Sequence, residues 1–186
     1  PDAGTVRVQL DSFSTFAVMV YEHSFADLQG HWSEGDVAVL VSRHLVHGVS
    51  PTAFEPDRPI TRAELAKLLV AMLGADPTEA IPAAPTFKDV APDAWYYAYV
   101  EAAARLGLVK GSDGLFRPDN PVAREEMAAM LLRAMGLEAE ALQSDAGEAL
   151  PFDDADEVSA WTRGYMAIGT ARGLLRGVTP ETLQPR

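Results

Sequence analysis

Phe25-Ala26-Asp27-Leu28, Phe87-Lys88-Asp89-Val90 and Phe152-Asp153-Asp154-Ala155 are three versions of one phrase, and their recurrence decides how the chain is read. Seven, eight and nine residues beyond the respective Phe stand Trp32, Trp95 and Trp161, which are all the tryptophans of the chain. A stretch of helical texture then runs to Leu45-Val46-His47-Gly48, Leu108-Val109-Lys110-Gly111 and Leu174-Leu175-Arg176-Gly177. Each is followed by a proline-stiffened link: Phe54-Glu55-Pro56, Phe116-Arg117-Pro118 and Leu183-Gln184-Pro185. Tryptophans and glycines are both spaced by 63 and then 66 residues, so several landmarks share one period. A period of this kind signals repeated supersecondary units.

The glycine closing each helical stretch is expected to be the left-handed residue that ends a helix, with the preceding basic residue facing the negative end of its dipole. In the first two copies a second helix is expected from Ile60-Thr61-Arg62-Ala63-Glu64 and from Val122-Ala123-Arg124-Glu125-Glu126. The third copy reaches Arg186 before that element, which reads as truncation by design of the fragment or by proteolysis. The chain thus divides into repeats at residues 25–74, 87–137 and 151–186, with exposed linkers at 75–86 and 138–150. Before them, residues 1–24 read as a β leader. Thr5 to Leu10 alternates apolar and polar side chains, and Phe16 to Tyr21 is β-branched and aromatic, so two short strands are expected, the end of a preceding β domain.

Composition narrows the function. Among 186 residues, 15 Lys+Arg against 27 Asp+Glu give a formal charge of −12, which disfavours generic nucleic-acid binding. At 48% hydrophobic and 23% charged the chain can bury a core. The absence of cysteine removes disulfides, thiolate zinc sites and Cys nucleophiles. The apolar run Leu65 to Leu73 is interrupted by Lys67 and is too short to span a bilayer. The opening Pro1-Asp2-Ala3-Gly4 lacks a basic n-region, so the export signal is expected upstream.

Thr61 and Glu64 have the spacing of a capping box, in which the Thr hydroxyl accepts the N3 amide and the Glu reaches back to the cap amide. The second copy replaces the Thr by Ala123 and keeps Arg124 and Glu126. A pure capping signal would keep the cap; this one keeps the arginine. Arginine beside the positive end of a helix dipole is awkward unless an anion joins it, and guanidinium with free helix amides would suit a carboxylate or phosphate. The competing reading pairs Arg62 and Arg124 with an internal carboxylate such as Asp27 or Asp89.

Taken in order, these elements resemble S-layer homology (SLH) motifs, over residues 25–186. The resemblance implies a mainly α fold, with three helix-loop-helix motifs in pseudo-threefold arrangement after the short β segment. It also implies grooves between motifs that bind secondary cell-wall polysaccharide through a pyruvate ketal on N-acetylmannosamine. Carried onto this chain, the arginines contacting the ligand carboxylate would be Arg62 and Arg124, with Glu64 and Glu126 beside them. Gly48, Gly111, Ser112 and Gly177 would supply groove loops, and Asp27, Asp89, Trp32 and Trp95 would line or shape the groove. A ketal-linked pyruvate keeps a free carboxylate, which suits a guanidinium. Trp can stack on a sugar, although a Trp opening an amphipathic helix is more often core. Ala123 is expected to loosen the second groove, and the third motif lacks its arginine.

Other chemistry is weaker. Asp153, Asp154, Asp156 and Glu157 lack the calcium-loop pattern, and His44 and His47 lack a third ligand, so no metal or other cofactor is expected. No carboxylate pair is singled out for acid/base catalysis. The expected function is therefore non-catalytic, extracellular anchoring to the wall or S-layer of a Gram-positive-type bacterium. Its partner would be an anionic pyruvylated polysaccharide, with neither nucleic acid nor membrane insertion involved. The alternative is a helical-repeat module that contacts protein, such as S-layer subunits.

Overall fold

The computed structural model describes residues 24–144 and 150–186. The strands expected between residues 5 and 21 lie outside the described residues. Six α-helices occur among the described residues: α1 (Glu34–Ser42), α2 (Arg62–Met72), α3 (Tyr97–Arg105), α4 (Arg124–Ala134), α5 (Glu138–Gln143) and α6 (Arg163–Ala171). Short 3-10 turns follow Phe25 and precede Val158. The fold is mainly α, as the repeat implied. Among the described residues, no helix is long and apolar enough to cross a membrane.

Two compact units divide at Phe54. In the first, Phe25, Leu28, Val37 and Val41 form a small core. In the second, from Glu55 onward, α2 packs on α3 and α4 packs on α6. The packing unit is therefore offset from the sequence repeat: the second helix of one motif covers the first helix of the next. Ala66, Leu69 and Val70 of α2 join Val100 and Ala103 of α3 in one apolar cluster. α4 serves two clusters, with Met130 in the α2–α3 core and Ala128 among Met166, Leu175 and Leu183.

The helix ends differ from expectation. α1, α3 and α6 stop five or six residues before Gly48, Gly111 and Gly177. The left-handed residues are His44 (φ 57°), Gly107 (φ 71°) and Gly173 (φ 68°). The amides of Leu45, Leu108 and Leu174 then donate back to the carbonyls of Leu40, Ala103 and Gly169, the crossed pattern of a Schellman cap. The repeated Leu is its apolar contact residue, and the basic residue before the later glycine does not cap the helix.

Those later glycines have a packing cause instead. A Cβ on Gly111 would stand 2.5 Å from the Leu115 carbonyl oxygen and 2.6 Å from Phe87 Cε1. Gly48 and Gly177 face Phe25 and Phe152 in the same way. The repeated Phe and the repeated Gly are thus two halves of one contact.

The repeated Asp is a clasp. Asp89 Oδ1 accepts the Phe116 amide at 2.8 Å, and Oδ2 accepts the Arg117 amide at 2.7 Å. Asp154 takes the Leu183 and Gln184 amides at 2.8 and 2.7 Å, and Asp27 takes the Phe54 amide at 3.0 Å. Each clasp holds a Phe-x-Pro link whose middle residue is left-handed without being glycine: Glu55 (φ 61°), Arg117 (φ 59°) and Gln184 (φ 51°). Burial alone would raise the Asp89 pKa, but the two amides take it below its ordinary value.

The stretch expected to be an exposed linker at 138–150 begins with helix α5, whose Ala141 is buried beside Tyr165. A Cβ on Gly164 would also collide with the Ala141 backbone, so α5 lies directly against α6.

Candidate functional site

α2 begins as its sequence predicts. Thr61 Oγ1 accepts the Glu64 amide at 3.3 Å, and Glu64 Oε2 accepts the Thr61 amide at 2.8 Å. At α4 only the return half survives, with Glu126 Oε2 accepting the Ala123 amide at 3.1 Å, because Ala123 has no acceptor to offer.

The amides beside Arg62 are not free for an anion. The Arg62 and Ala63 amides donate to the carbonyls of Asn120 and Pro118, each at 3.0 Å, while Val122 donates to Ile60 at 3.0 Å. The link of the second motif is thereby laced across the start of the first motif's helix. Any anion here must be met by side chains.

Arg62 itself is 9% exposed. Its Nε donates to the Phe116 carbonyl at 2.7 Å, its Nη1 donates to Glu126 at 2.7 Å, and its guanidinium lies 5.1 Å from the Phe116 ring centroid. The internal carboxylate partner is thus Glu126 of the next motif, rather than Asp27 or Asp89. Nη2 has no hydrogen-bond partner among the described residues. The guanidinium borders a cavity of about 390 Å³. Around it stand Lys110, Gly111, Ser112, Arg117 and Arg133, with Glu126 and the exposed face of Trp161. Four basic side chains therefore face one carboxylate on this wall, in a chain whose net charge is −12.

Of the residues expected to form a site, the structure gathers Arg62, Glu126, Gly111 and Ser112 at this cavity. Asp89 lies beneath the link, and Glu64 pairs with Arg58. Asp27, Trp32 and Gly48 belong to the unit that ends at Phe54. Arg124 donates from Nη2 to the Arg176 carbonyl, adjacent to Gly177, at 2.9 Å, and its buried Nε lacks a partner.

The tryptophans are not core residues: Trp32, Trp95 and Trp161 are 83%, 57% and 54% exposed. Trp95 lies with its ring 5.8 Å from Lys67 Nζ. The aromatic at the cavity is Trp161, supplied by the third motif.

Sequence reasoning missed Lys110, Arg117, Arg133 and Trp161 as wall residues. Lys110 had been assigned to a helix dipole, and Arg117 is the variable residue of Phe-x-Pro. Arg133 is a full two turns beyond Arg124, with nothing local to mark it. No group of three His, Asp or Glu side chains able to hold a metal occurs among the described residues.

Comparison with known proteins agrees with this geometry. The S-layer homology domain family matches residues 24–66, 86–128 and 151–186. Similar proteins include an amylopullulanase of Thermoanaerobacterium thermosulfurigenes, 30% identical over 99% of this chain and 10% of that protein. A second is the exoglucanase XynX of Acetivibrio thermocellus, 29% identical over 88% of this chain and 15% of that enzyme. A third is the surface-layer 125 kDa protein of Lysinibacillus sphaericus, 31% identical over 83% of this chain and 12% of that protein. The chain thus spans between a tenth and a seventh of the length of these relatives. Three family matches, covering more than half of the residues and joined by the clasp, link and helix start seen in the structure, make the chain a member of the S-layer homology domain family.

Proposed function

We propose that this chain is a non-catalytic anchoring module that holds an exported protein to the wall of a Gram-positive-type bacterium by binding an anionic, pyruvylated polysaccharide. The observation that carries the reading is the cavity wall: Arg62, Lys110, Arg117 and Arg133 converge where the rest of the chain is acidic. A general acidic surface repels a polyanion, so affinity comes from local contacts rather than long-range steering. Arg62 Nη2 and the Arg117 guanidinium would meet the ketal carboxylate, each charge-assisted bond contributing roughly 1.5–3 kcal/mol. Gly111 brings backbone close to the sugar, and the exposed Trp161 offers a stacking face. Relatives that carry enzyme names and relatives that carry surface-layer names share this region, which supports an anchor common to both.

Calorimetric titration with wall polymer before and after removal of its pyruvate tests the reading. Only intact polymer should bind; equal binding of both forms would contradict a carboxylate-based site. Arg62→Ala would also strip packing from Phe116, so Arg117→Ala at an exposed position is the cleaner variant. It should weaken binding about tenfold or more without lowering stability.

A further inference from the structure

The four cations of the cavity wall are not equally available. Arg62 is held by Glu126, and Arg117 has no carboxylate at salt-bridge distance among the described residues. Lys110 and Arg133 both donate to a single oxygen, Glu138 Oε1, at 2.7 and 2.9 Å. The Tyr165 hydroxyl donates to that same oxygen at 2.7 Å, and the Arg133 guanidinium lies 5.1 Å from the Tyr165 ring centroid. Glu138 is not on the wall. It opens α5, between the second and third family matches, so neither the repeat nor the family pattern supplies it.

We propose that Glu138 is a positioning residue that sets the charge selectivity of the cavity: by fastening Lys110 and Arg133 to one oxygen, it leaves the wall suited to a single carboxylate and unfavourable to a more highly charged anion. The inference rests on the anion-binding reading above. With Glu138 present, four wall cations face two carboxylates; without it they face Glu126 alone. The two tethered cations also differ in what release would do. The Arg133 side chain is 7% exposed and stays pinned on Tyr165, whereas Lys110 is 59% exposed on a flexible stem and would be free to swing over the cavity. A dianion would gain most from that second mobile charge. Hydrogen bonds from Lys110 and Tyr165, with Arg133 adding its charge, hold the Glu138 pKa at about 2, so the tether is in place at any neutral pH.

The test is an NMR titration of the whole chain, following the Gly111 and Ser112 amides, with two probes: pyruvylated wall polymer, and inorganic phosphate near pH 8. The unsubstituted chain should respond to the polymer and not to millimolar phosphate. Glu138→Gln should acquire phosphate binding, at least about fivefold tighter than the parent, with a steeper dependence on salt. Adding Lys110→Gln should abolish that gain, as coupling through Lys110 requires. A purely structural Glu138 would weaken both probes alike and leave their ratio unchanged, which would overturn the proposal. If Glu138→Gln does not fold, Lys110→Gln alone decides. Polymer affinity kept within about twofold supports a tethered lysine, and a larger loss makes Lys110 a direct ligand contact and overturns it. Absence of any polymer response by the parent chain would instead overturn the anchoring function itself.

Discussion

At the scale of single residues, the repeated letters acquire physical reasons that differ from those their types suggest. Glycine after an aliphatic pair is commonly a helix stop, yet Gly111 is there because Phe87 and the Leu115 carbonyl occupy the space of a side chain. Gly111→Ala should therefore destabilise the fold by about 1–3 kcal/mol, as overpacking does, in urea unfolding. A change below about 0.5 kcal/mol would show that the ring can move aside. Asp89 was legible as a repeated residue but not in its role, because two backbone amides 27 and 28 residues away leave no mark in the sequence. The tryptophans show the same gap: the repeat located them, while side-chain type alone favoured a burial they do not have.

At the scale of elements, the start of α2 was readable in full, since a capping box is local chemistry within four residues. Ala123 adopts nearly the same extended backbone as Thr61, with φ −69° and ψ 151° against −81° and 161°. Ala123→Thr should thus complete the second box and stabilise the chain by about 0.5–1 kcal/mol, while Thr61→Ala should cost about 1 kcal/mol. Thermal unfolding of both variants checks the pair, and a destabilising Ala123→Thr would mean that the hydroxyl cannot reach the Glu126 amide. Helix α5 was not readable. Its six residues, acidic and alanine-rich, resemble a linker until Lys110, Arg133 and Tyr165 are brought to Glu138 from three distant stretches of chain.

At the scale of the whole molecule, the three motifs could be counted from their period, but their packing could not. The period marks where each motif begins, whereas burial joins the end of one motif to the beginning of the next. The binding cavity inherits that offset, drawing Arg62 from the first motif, Gly111 from the second and Trp161 from the third. The same long-range ties make the fold acid-sensitive. Glu138, Asp89 and Asp154 all have pKa values below their ordinary ones, Glu138 at about 2 against 4.5. A carboxylate lowered by folding stabilises the native state above its unfolded pKa and loses that contribution as pH falls toward its folded pKa. Stability should therefore stay level from neutrality to about pH 5 and fall between about pH 4.5 and 2, with Glu138→Gln less stable at neutrality and flatter across that window. Parallel curves for the two proteins would remove Glu138 from the account.

The central claim is that an acidic chain binds an anionic polymer at one basic cavity built from three motifs. Its most direct test is to label the chain with nitrogen-15 and record which signals move as pyruvylated wall polymer is added. The account predicts shifts at the Gly111 and Ser112 amides and at the Trp161 indole, all absent when the pyruvate has been removed. Binding of intact polymer that leaves those three signals unmoved would contradict it.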